Sequence, residues 1–199
     1  MHTDPPPDEM LPDRLRLPVE IDPAPLLTEA ESLPDEAWIP HMVRQNYEGD
    51  WAAAPLMAPA GETHPIRQIY PDPTATRFVP TKFLDAMPAT RALLAALPCE
   101  TQCVRLMRLG PGAWIKPHRD HDLDAALGHA RLHLPLATGP DVDFRLTGER
   151  VTMAAGELWY LRLSDTHEVN NRGSGPRLHL VIDVIANDWL VGALEAAGL

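Results

Sequence analysis

Residues 117 to 122 read PHRDHD and place two histidines and two aspartates within six positions. Imidazole and carboxylate groups are frequent ligands of divalent transition metals in proteins. Because His118 and Asp120 are two residues apart, an extended segment would direct both side chains to the same side, where they can hold one ion. The adjacent His121 would point to the opposite side. A charged surface turn is the other interpretation of this stretch alone.

A third ligand must come from a distant part of the chain, because a facial iron site uses two imidazoles and one carboxylate. His167 lies in the polar segment SDTHEVNN, between two predicted strands. A jelly roll can return such a turn to the strand end that carries His118, although a surface histidine in a polar loop has the same sequence. The four candidates are His129, His133, His167 and His179.

Arg177 follows His167 by ten positions, at the start of the next predicted strand and on its polar face. A keto acid such as 2-oxoglutarate chelates a metal at one end and presents a second carboxylate at the other. A guanidinium suits that second carboxylate, because it is planar, always charged and able to form two parallel hydrogen bonds. His-x-Asp, a distant His and then this Arg form a joint pattern that composition alone rarely produces.

The elements that must position these residues are short strands. From about residue 100 to residue 186, segments of alternating apolar and polar residues are separated by Gly, Pro, Asn and Asp. This pattern predicts a mainly β protein, a double-stranded β-helix (jelly roll) core with a few flanking helices. The predicted strands cover residues 104–109, 130–136, 156–163 and 177–185, with a hairpin turn at Thr147 and Gly148.

Helices are expected on either side of this core. Residues 26–33 and 89–97 have helical patterns, and Thr90 is the expected N-cap of the second. A last helix is expected to begin near Asn187 or Asp188 and to run to the C-terminus.

Two of the predicted strands carry Arg-x-His pairs on the face opposite their leucines. Arg131 and His133 alternate with leucines in ARLHLPL, and Arg177 and His179 do so in RLHLVIDVI. Such a face is either the solvent side of a sheet or the wall of a polar binding cavity. The strands taken singly favour the solvent side.

The chain as a whole narrows the possible functions. Its 199 residues carry a formal net charge of −11, so neither a nucleic acid nor an anionic membrane is an expected partner. Cys99 and Cys103 are the two cysteines, which we interpret as ordinary thiols. We find no signal peptide or membrane span and expect a cytoplasmic protein.

Proline is concentrated at the beginning of the sequence, with seven residues in the first twenty-five. Because proline lacks an amide donor and restricts its own φ, we expect residues 1–25 to be an extended arm, disordered or lying on the domain. Residues 26–199 are expected to form a single jelly-roll domain with its core at about 100–186.

Three stretches resemble a known family. LMRLGPGAWIKPHRDHD, ARLHLPL and GELWYLRLSDTHEVNNRGSGPRLHLVIDV are similar to the core of the aspartyl/asparaginyl β-hydroxylases, Fe(II)- and 2-oxoglutarate-dependent oxygenases. The bacterial branch of this family includes proline cis-hydroxylases that act on the free amino acid. The resemblance implies that His118, Asp120 and His167 bind Fe(II) and that Arg177 anchors the far carboxylate of 2-oxoglutarate. It also implies that Arg131 and His133 lie at the carboxylates of cosubstrate and substrate.

The implied reaction consumes 2-oxoglutarate and O2 and hydroxylates an amino acid, either free or within a peptide. The animal hydroxylase that names the family has glycine in place of Asp120, so this chain resembles the bacterial members and its substrate stays open. The alternative is a cupin-like protein that binds Zn or Mn and acts as a hydrolase, an isomerase or a ligand sensor.

Overall fold

A computed structural model describes residues 11–70, 72 and 74–198. Two antiparallel sheets dominate this part of the chain. The strands are β1 (Arg14–Glu20), β2 (Ile39–Pro40), β3 (Tyr47–Glu48), β4 (Trp51–Pro59), β5 (Phe78–Pro80), β6 (Thr101–Leu109), β7 (Trp114–His118), β8 (His129–Ala137), β9 (Val142–Leu146), β10 (Glu149–Arg150), β11 (Glu157–Leu161), β12 (His167–Asn171) and β13 (Arg177–Ile185). The α-helices are α1 (Pro23–Glu31), α2 (Pro65–Gln68), α3 (Lys82–Asp85), α4 (Pro88–Ala96) and α5 (Asp188–Ala197).

The larger sheet has the strand order β1-β11-β8-β13-β6-β4-β2, with β5 paired to β4. The smaller sheet has the order β10-β9-β12-β7-β3. Apart from pairs such as the β9–β10 hairpin, neighbours in each sheet come from distant parts of the sequence, which is the connectivity of a jelly roll. The predicted fold class, a mainly β protein with a jelly-roll core and a few helices, is confirmed.

The larger sheet has two different faces. Leu132, Leu134, Leu180 and Ile182 belong to a core that also contains Leu26 of α1, Leu94 of α4 and Leu190 of α5, so one face packs against the helices. A second core includes Leu109 and Leu161 of the larger sheet together with Ile115, Phe144 and Val169 of the smaller one. The other face therefore looks toward the smaller sheet.

Alternation along the strands places polar residues on this inner face. Arg131 and His133 alternate with the buried leucines of β8, and Arg177, His179 and Asp183 do so on β13. All five residues are buried. The solvent-side preference for these Arg-x-His pairs is therefore wrong, because both faces of the sheet are covered.

The four predicted strands are confirmed within a few residues, and the hairpin at Thr147 and Gly148 joins β9 to β10. Both turn residues have positive φ, 54° and 85°, as in the tight turns whose twist matches antiparallel strands. The C-terminal helix begins after Asn187, whose side chain accepts a hydrogen bond from the N–H of Leu190. Of the described helices, none has the length and the apolar character to cross a bilayer.

Thr90 is not an N-cap, and that prediction is wrong. Helix α4 begins at Pro88, and its cap comes from α1: the carboxylate of Glu29 accepts hydrogen bonds from the N–H groups of Ala89 (2.6 Å) and Thr90 (2.9 Å). The Thr90 hydroxyl donates to the same carboxylate at 2.8 Å. The first N–H groups of any helix have no partner within that helix, and here a tertiary contact supplies one.

The proline-rich segment contributes regular structure from residue 14 onward. Strand β1 pairs with β11 at the edge of the larger sheet. Pro23 and Pro25 lie in the first turn of α1, where proline is well tolerated, so the expected boundary between residues 25 and 26 falls inside a helix. The remainder of the expected arm, residues 1–10, lies outside the described residues.

Candidate metal and cosubstrate site

His118 is the last residue of β7 and His167 is the first residue of β12, and the two are paired across these antiparallel strands. Their ring centroids are 4.2 Å apart. Asp120 follows β7, and its main-chain N–H donates to the carbonyl of Leu163 at 2.9 Å. One potential ligand atom from each of His118, Asp120 and His167 lies within 4.8 Å of the others. The three side chains therefore meet at a distance that a single metal ion can bridge.

Both imidazoles are held in one orientation by the main chain. Nδ1 of His118 lies 2.8 Å from the carbonyl oxygen of Lys116, and Nδ1 of His167 lies 3.0 Å from that of Asp165. Because a carbonyl can only accept, each Nδ1 carries the proton and donates. Each Nε2 then keeps its lone pair for a ligand, the arrangement usual for histidines that bind metals.

The protonation states also suit a metal. Burial lowers the pKa of His167 to about 4, and the nearby His118 adds to this effect. Burial alone would raise the pKa of Asp120, but the charges of Arg131 and the two histidines outweigh it and lower the pKa below the ordinary 3.8. A neutral imidazole and an ionised carboxylate are the forms that coordinate metals.

Arg131 connects the cluster to a buried ion-pair network. Its Nη1 donates to Asp120 Oδ2 at 2.6 Å, while its Nε and Nη2 donate to the two oxygens of Asp183 at 2.6 and 3.1 Å. Arg105 donates from Nη2 to the same Asp183 at 2.9 Å. The charge of Arg131 is thus engaged by two carboxylates, and its guanidinium keeps some N–H donors for a ligand. Its predicted contact with a bound carboxylate stays a prediction.

Two further arginines, Arg105 and Arg108, lie on strand β6. Arg105 is buried and donates from Nη1 to the carbonyl of Ile69 at 2.9 Å and to Cys103 Sγ at 3.1 Å, so it ties the loop before residue 70 to the sheet. Arg108 lies away from the cavity, with its guanidinium 4.4 Å from the Trp38 ring centroid. Only Arg105 belongs to the cavity wall.

Arg177 differs from Arg131 in its surroundings. It is 2% exposed, and within residues 11–70, 72 and 74–198 it forms no ion pair. Its Nη2 lies 2.9 Å from His179 Nδ1, and its Nε has no hydrogen-bond partner in the described structure. Burial lowers the pKa of Arg177 to about 9, so it still carries its charge at neutral pH. A buried, uncompensated cation of this kind is costly unless an anion joins it.

His133 lies beside Arg177 with its hydrogen-bonding capacity unused. It is 5% exposed, and neither ring nitrogen has a partner among the residues described. Burial, together with the charges of Arg177 and Arg131, lowers the pKa of His133 well below its usual value. The ring is therefore a neutral imidazole that can donate to a ligand.

One cavity of about 670 Å³ contains all these groups. The metal cluster, Arg131, His133 and Arg177 line it. Phe144 stands between the two ends, with its ring 6.4 Å from the His167 ring and 6.0 Å from the guanidinium carbon of Arg177. Much of the remaining wall is apolar and includes Met42, Val43, Ile69, Phe78, Leu123 and Leu127. Such a cavity suits a small ligand held by a few polar groups.

His41 also lines this cavity and was not identified from the sequence. Its ring stacks on Trp51 at 3.5 Å between centroids, and its Nδ1 accepts a hydrogen bond from the N–H of Val43 at 3.4 Å. Burial, with the charge of Arg105, lowers its pKa to about 4. His41 comes from the region before the core strands, and no spacing rule relates it to the other histidines.

The residues that follow the His-x-Asp pair line the same cavity. His121 and Asp122 are exposed, and neither belongs to the metal cluster found among the described residues. The two cysteines are buried, free thiols outside that cluster.

The fold and the cluster define a jelly-roll protein with a candidate His-Asp-His metal site. The sequence matches the family model "Aspartyl/Asparaginyl beta-hydroxylase" over residues 25–187. The chain therefore belongs to the aspartyl/asparaginyl β-hydroxylase family, as its motifs predict, and this membership supports a hydroxylase-type function.

Two solved structures are similar to this chain. An oxidoreductase of the 2OG-Fe(II) oxygenase family from Burkholderia pseudomallei has a TM-score of 0.58 at 16% identity, covering 88% of this chain and 86% of that one. The viral collagen prolyl hydroxylase of Paramecium Bursaria Chlorella virus-1, in its 2OG complex, has a TM-score of 0.49 at 12% identity, covering 88% and 97%. At identities this low, the similarity shows a shared fold and nothing more. Only the first structure has a TM-score high enough to support that conclusion.

Proposed function

We propose that the protein is an Fe(II)- and 2-oxoglutarate-dependent dioxygenase that hydroxylates an amino acid, either free or within a peptide. The observation that carries this proposal is Arg177, a buried cation without a carboxylate partner among the described residues, in the same cavity as the His-Asp-His cluster. A protein that only held a metal would have no use for such a group.

The donor set fits Fe(II). Two imidazoles and one carboxylate, with further positions left open, are the ligands of non-haem iron oxygenases. His118, Asp120 and His167 would hold the metal through the two free Nε2 atoms and one carboxylate oxygen. The other oxygen of Asp120 is engaged by Arg131, which favours binding of the metal through a single oxygen.

The charges of the cavity fit 2-oxoglutarate. Of the buried arginines in the cavity wall, Arg105 and Arg131 pair with Asp183, Arg131 also pairs with Asp120, and Arg177 has no carboxylate partner among the described residues. A divalent metal would add positive charge, which a dianionic ligand would offset. Arg177 would pair with the carboxylate far from the metal, and His133 would donate a hydrogen bond to the same molecule.

The bound iron would supply O2 activation coupled to decarboxylation of 2-oxoglutarate. The overall reaction converts 2-oxoglutarate, O2 and the substrate to succinate, CO2 and the hydroxylated product. Arg177 and His133 would hold the cosubstrate, and His118, Asp120 and His167 would hold the metal that its keto acid end chelates. The apolar wall excludes water, which strengthens the electrostatic contacts inside the cavity.

A small substrate would enter the part of the cavity near His41. Because the Nδ1 of His41 accepts a hydrogen bond from Val43, its Nε2–H is left to donate to a carboxylate or a carbonyl. The remaining N–H donors of Arg131 offer a second contact for an amino acid carboxylate. With a net charge of −11, neither nucleic acid nor an anionic membrane is proposed as a partner.

Anaerobic addition of Fe(II) and then 2-oxoglutarate to the purified protein tests the proposal. We expect a weak visible charge-transfer band, because the keto acid chelates ferrous iron. A cupin-like zinc or manganese protein would show no such band and would ignore 2-oxoglutarate. A screen of amino acids and of short peptides containing Asp, Asn and Pro, with succinate release as the readout, then identifies the substrate.

A further inference from the structure

Among the described residues, Arg177 has one polar partner, His179. Nη2 of Arg177 and Nδ1 of His179 are 2.9 Å apart. The two residues alternate with Leu178 on β13, so both side chains lie on the inner face of the larger sheet. Because β13 is flanked by β8 and β6, this pair sits on a strand that is held on both sides.

The direction of this hydrogen bond follows from the chemistry of arginine. A guanidinium has N–H donors and no acceptor, so His179 Nδ1 must accept and the proton of its ring must be on Nε2. His179 is 1% exposed, and burial, with the charges of Arg177 and His133, lowers its pKa well below the usual value. His179 is therefore neutral.

A neutral partner has a different effect from a carboxylate. Arg131 is held by Asp120 and Asp183, so its orientation is fixed and its charge is largely compensated. Arg177 is held by an imidazole, so its orientation is fixed while its charge stays available to a ligand. The same inner face of the sheet thus contains the compensated Arg105 and Arg131 and the uncompensated Arg177.

We propose that His179 is a positioning residue for the cosubstrate: it orients the guanidinium of Arg177 and, being neutral, leaves the positive charge of Arg177 free for the far carboxylate of 2-oxoglutarate. This inference rests on the proposed function and adds the requirement that the partner of Arg177 accept a hydrogen bond without carrying a negative charge.

Three substitutions at one position separate orientation from charge. His179→Asn places a neutral oxygen near the position of Nδ1, His179→Leu removes the acceptor, and His179→Asp supplies an acceptor with a negative charge. The measurement is the Kd of 2-oxoglutarate for the protein loaded with Mn(II) under anaerobic conditions, by calorimetry. The Kd of Mn(II) for each variant without 2-oxoglutarate is measured in parallel.

We expect the Asn variant to bind 2-oxoglutarate within about threefold of the wild type, which is within roughly 0.7 kcal/mol. The Leu variant should bind at least about tenfold more weakly, because a misplaced guanidinium loses its alignment with the carboxylate. The Asp variant should lose at least about a hundredfold, because its carboxylate competes for Arg177. Mn(II) affinity should stay unchanged in all three, since His179 is not part of the metal cluster.

Ile182→Val is the matched control, because it removes a buried methylene from the opposite face of the same strand. This substitution should change neither the Kd of 2-oxoglutarate nor the Kd of Mn(II). If the Leu variant does not fold, comparing the Kd of 2-oxoglutarate for the Asn and Asp variants still tests the proposal.

Equal binding of 2-oxoglutarate by the Asp variant and the wild type would overturn the proposal, as would full affinity in a folded Leu variant. A wild-type protein that binds Mn(II) but no 2-oxoglutarate would instead remove the proposed function, and this inference with it.

Discussion

Arg131 reaches from β8 to Asp120 and holds one of its carboxylate oxygens, with Nη1 and Oδ2 2.6 Å apart. The other oxygen of Asp120 is left for a ligand. Since Arg131 is itself held by Asp183, the orientation of a candidate metal ligand depends on a buried network that extends across the larger sheet.

Substituting either histidine of the cluster should weaken metal binding. His118→Ala and His167→Ala each delete one of three protein ligands, so we expect turnover to be lost and the Kd of Mn(II) to rise by at least about tenfold. Asp120→Ala should be milder, because the family includes a member with glycine there. Calorimetric titration of the apo variants with Mn(II) measures these effects.

His121→Ala is the control for the histidine substitutions. Its side chain is exposed and lines the cavity but lies outside the cluster, so metal affinity should stay close to wild type. Full activity in either the His118 or the His167 variant would contradict the assignment of the ligands.

Arg177→Ala should raise the KM for 2-oxoglutarate by at least roughly tenfold, equivalent to about 1.4 kcal/mol. The loss reflects a bidentate, charge-assisted contact, and Arg177→Lys should recover only part of it, because an ammonium lacks the planar fork. Iron content, measured on the purified variants, should equal that of the wild type. An unchanged KM in an iron-loaded Arg177→Ala protein would refute the 2-oxoglutarate site and favour the cupin-like alternative.

The same arginine should lower the stability of the protein without ligands. Arg177 is buried with a neutral partner, so Arg177→Met replaces a costly cation by an apolar side chain of similar length. We expect the free energy of unfolding of the apo protein to increase, because the cost of burying an unpaired cation exceeds the roughly 1–3 kcal/mol of leaving the Nδ1 of His179 without a donor. Urea denaturation measures this change, and a decrease would show that the charge of Arg177 is already compensated.

Asp183 should be important for stability. It accepts hydrogen bonds from both Arg105 and Arg131, and all three side chains are buried. Asp183→Asn leaves Arg105 without a charged partner among the described residues and leaves Arg131 with Asp120 alone, at a cost of about 3–5 kcal/mol. Chemical denaturation at neutral pH is the measurement, and a loss below 1 kcal/mol would show that water or neighbouring groups solvate the arginines.

This network also predicts a response to acid. Burial acts to raise the pKa of Asp183, but Arg105 and Arg131 outweigh it and hold the pKa below the ordinary 3.8. The unfolded chain therefore binds more protons than the folded protein just below this pH. The stabilisation is complete above pH 3.8 and is lost as the pH falls through the folded-state pKa. The Asp183→Asn protein should show a shallower loss in the same acid titration.

Glu29 should stabilise the contact between α1 and α4. Its carboxylate accepts hydrogen bonds from the N–H groups of Ala89 and Thr90 in the first turn of α4. Glu29→Ala should lower the free energy of unfolding by about 1–2 kcal/mol, the range for loss of a helix cap, and should leave the Kd of Mn(II) unchanged. Glu31→Ala, at an exposed position of the same helix, is the matched control and should have little effect.

Much of the fold follows from local patterns. Alternation along β8 and β13 identifies two strands, because side chains on a strand point to opposite faces in turn. The spacing of His118 and Asp120 places their side chains on one side for the same reason. The position of Arg177 on a polar face was also readable from the order of the residues.

Which face is enclosed could not be read from these strands alone. Alternation separates Arg131 and His133 from their leucines, but both sets are buried, because helices cover one face and the smaller sheet covers the other. Burial is a property of the packed layers, so the solvent-side interpretation was equally consistent with the pattern.

The partners of the charged groups also depend on tertiary structure. Asp120 follows β7, Arg131 lies on β8 and Asp183 lies on β13. The register between β8 and β13 is what places Asp183 opposite Arg131. The neutral partner of Arg177 and the position of His41 in the cavity depend likewise on contacts between distant parts of the chain. Residue types and local spacing identify groups that can coordinate or pair, whereas packing establishes which charges are compensated and which remain free for a ligand.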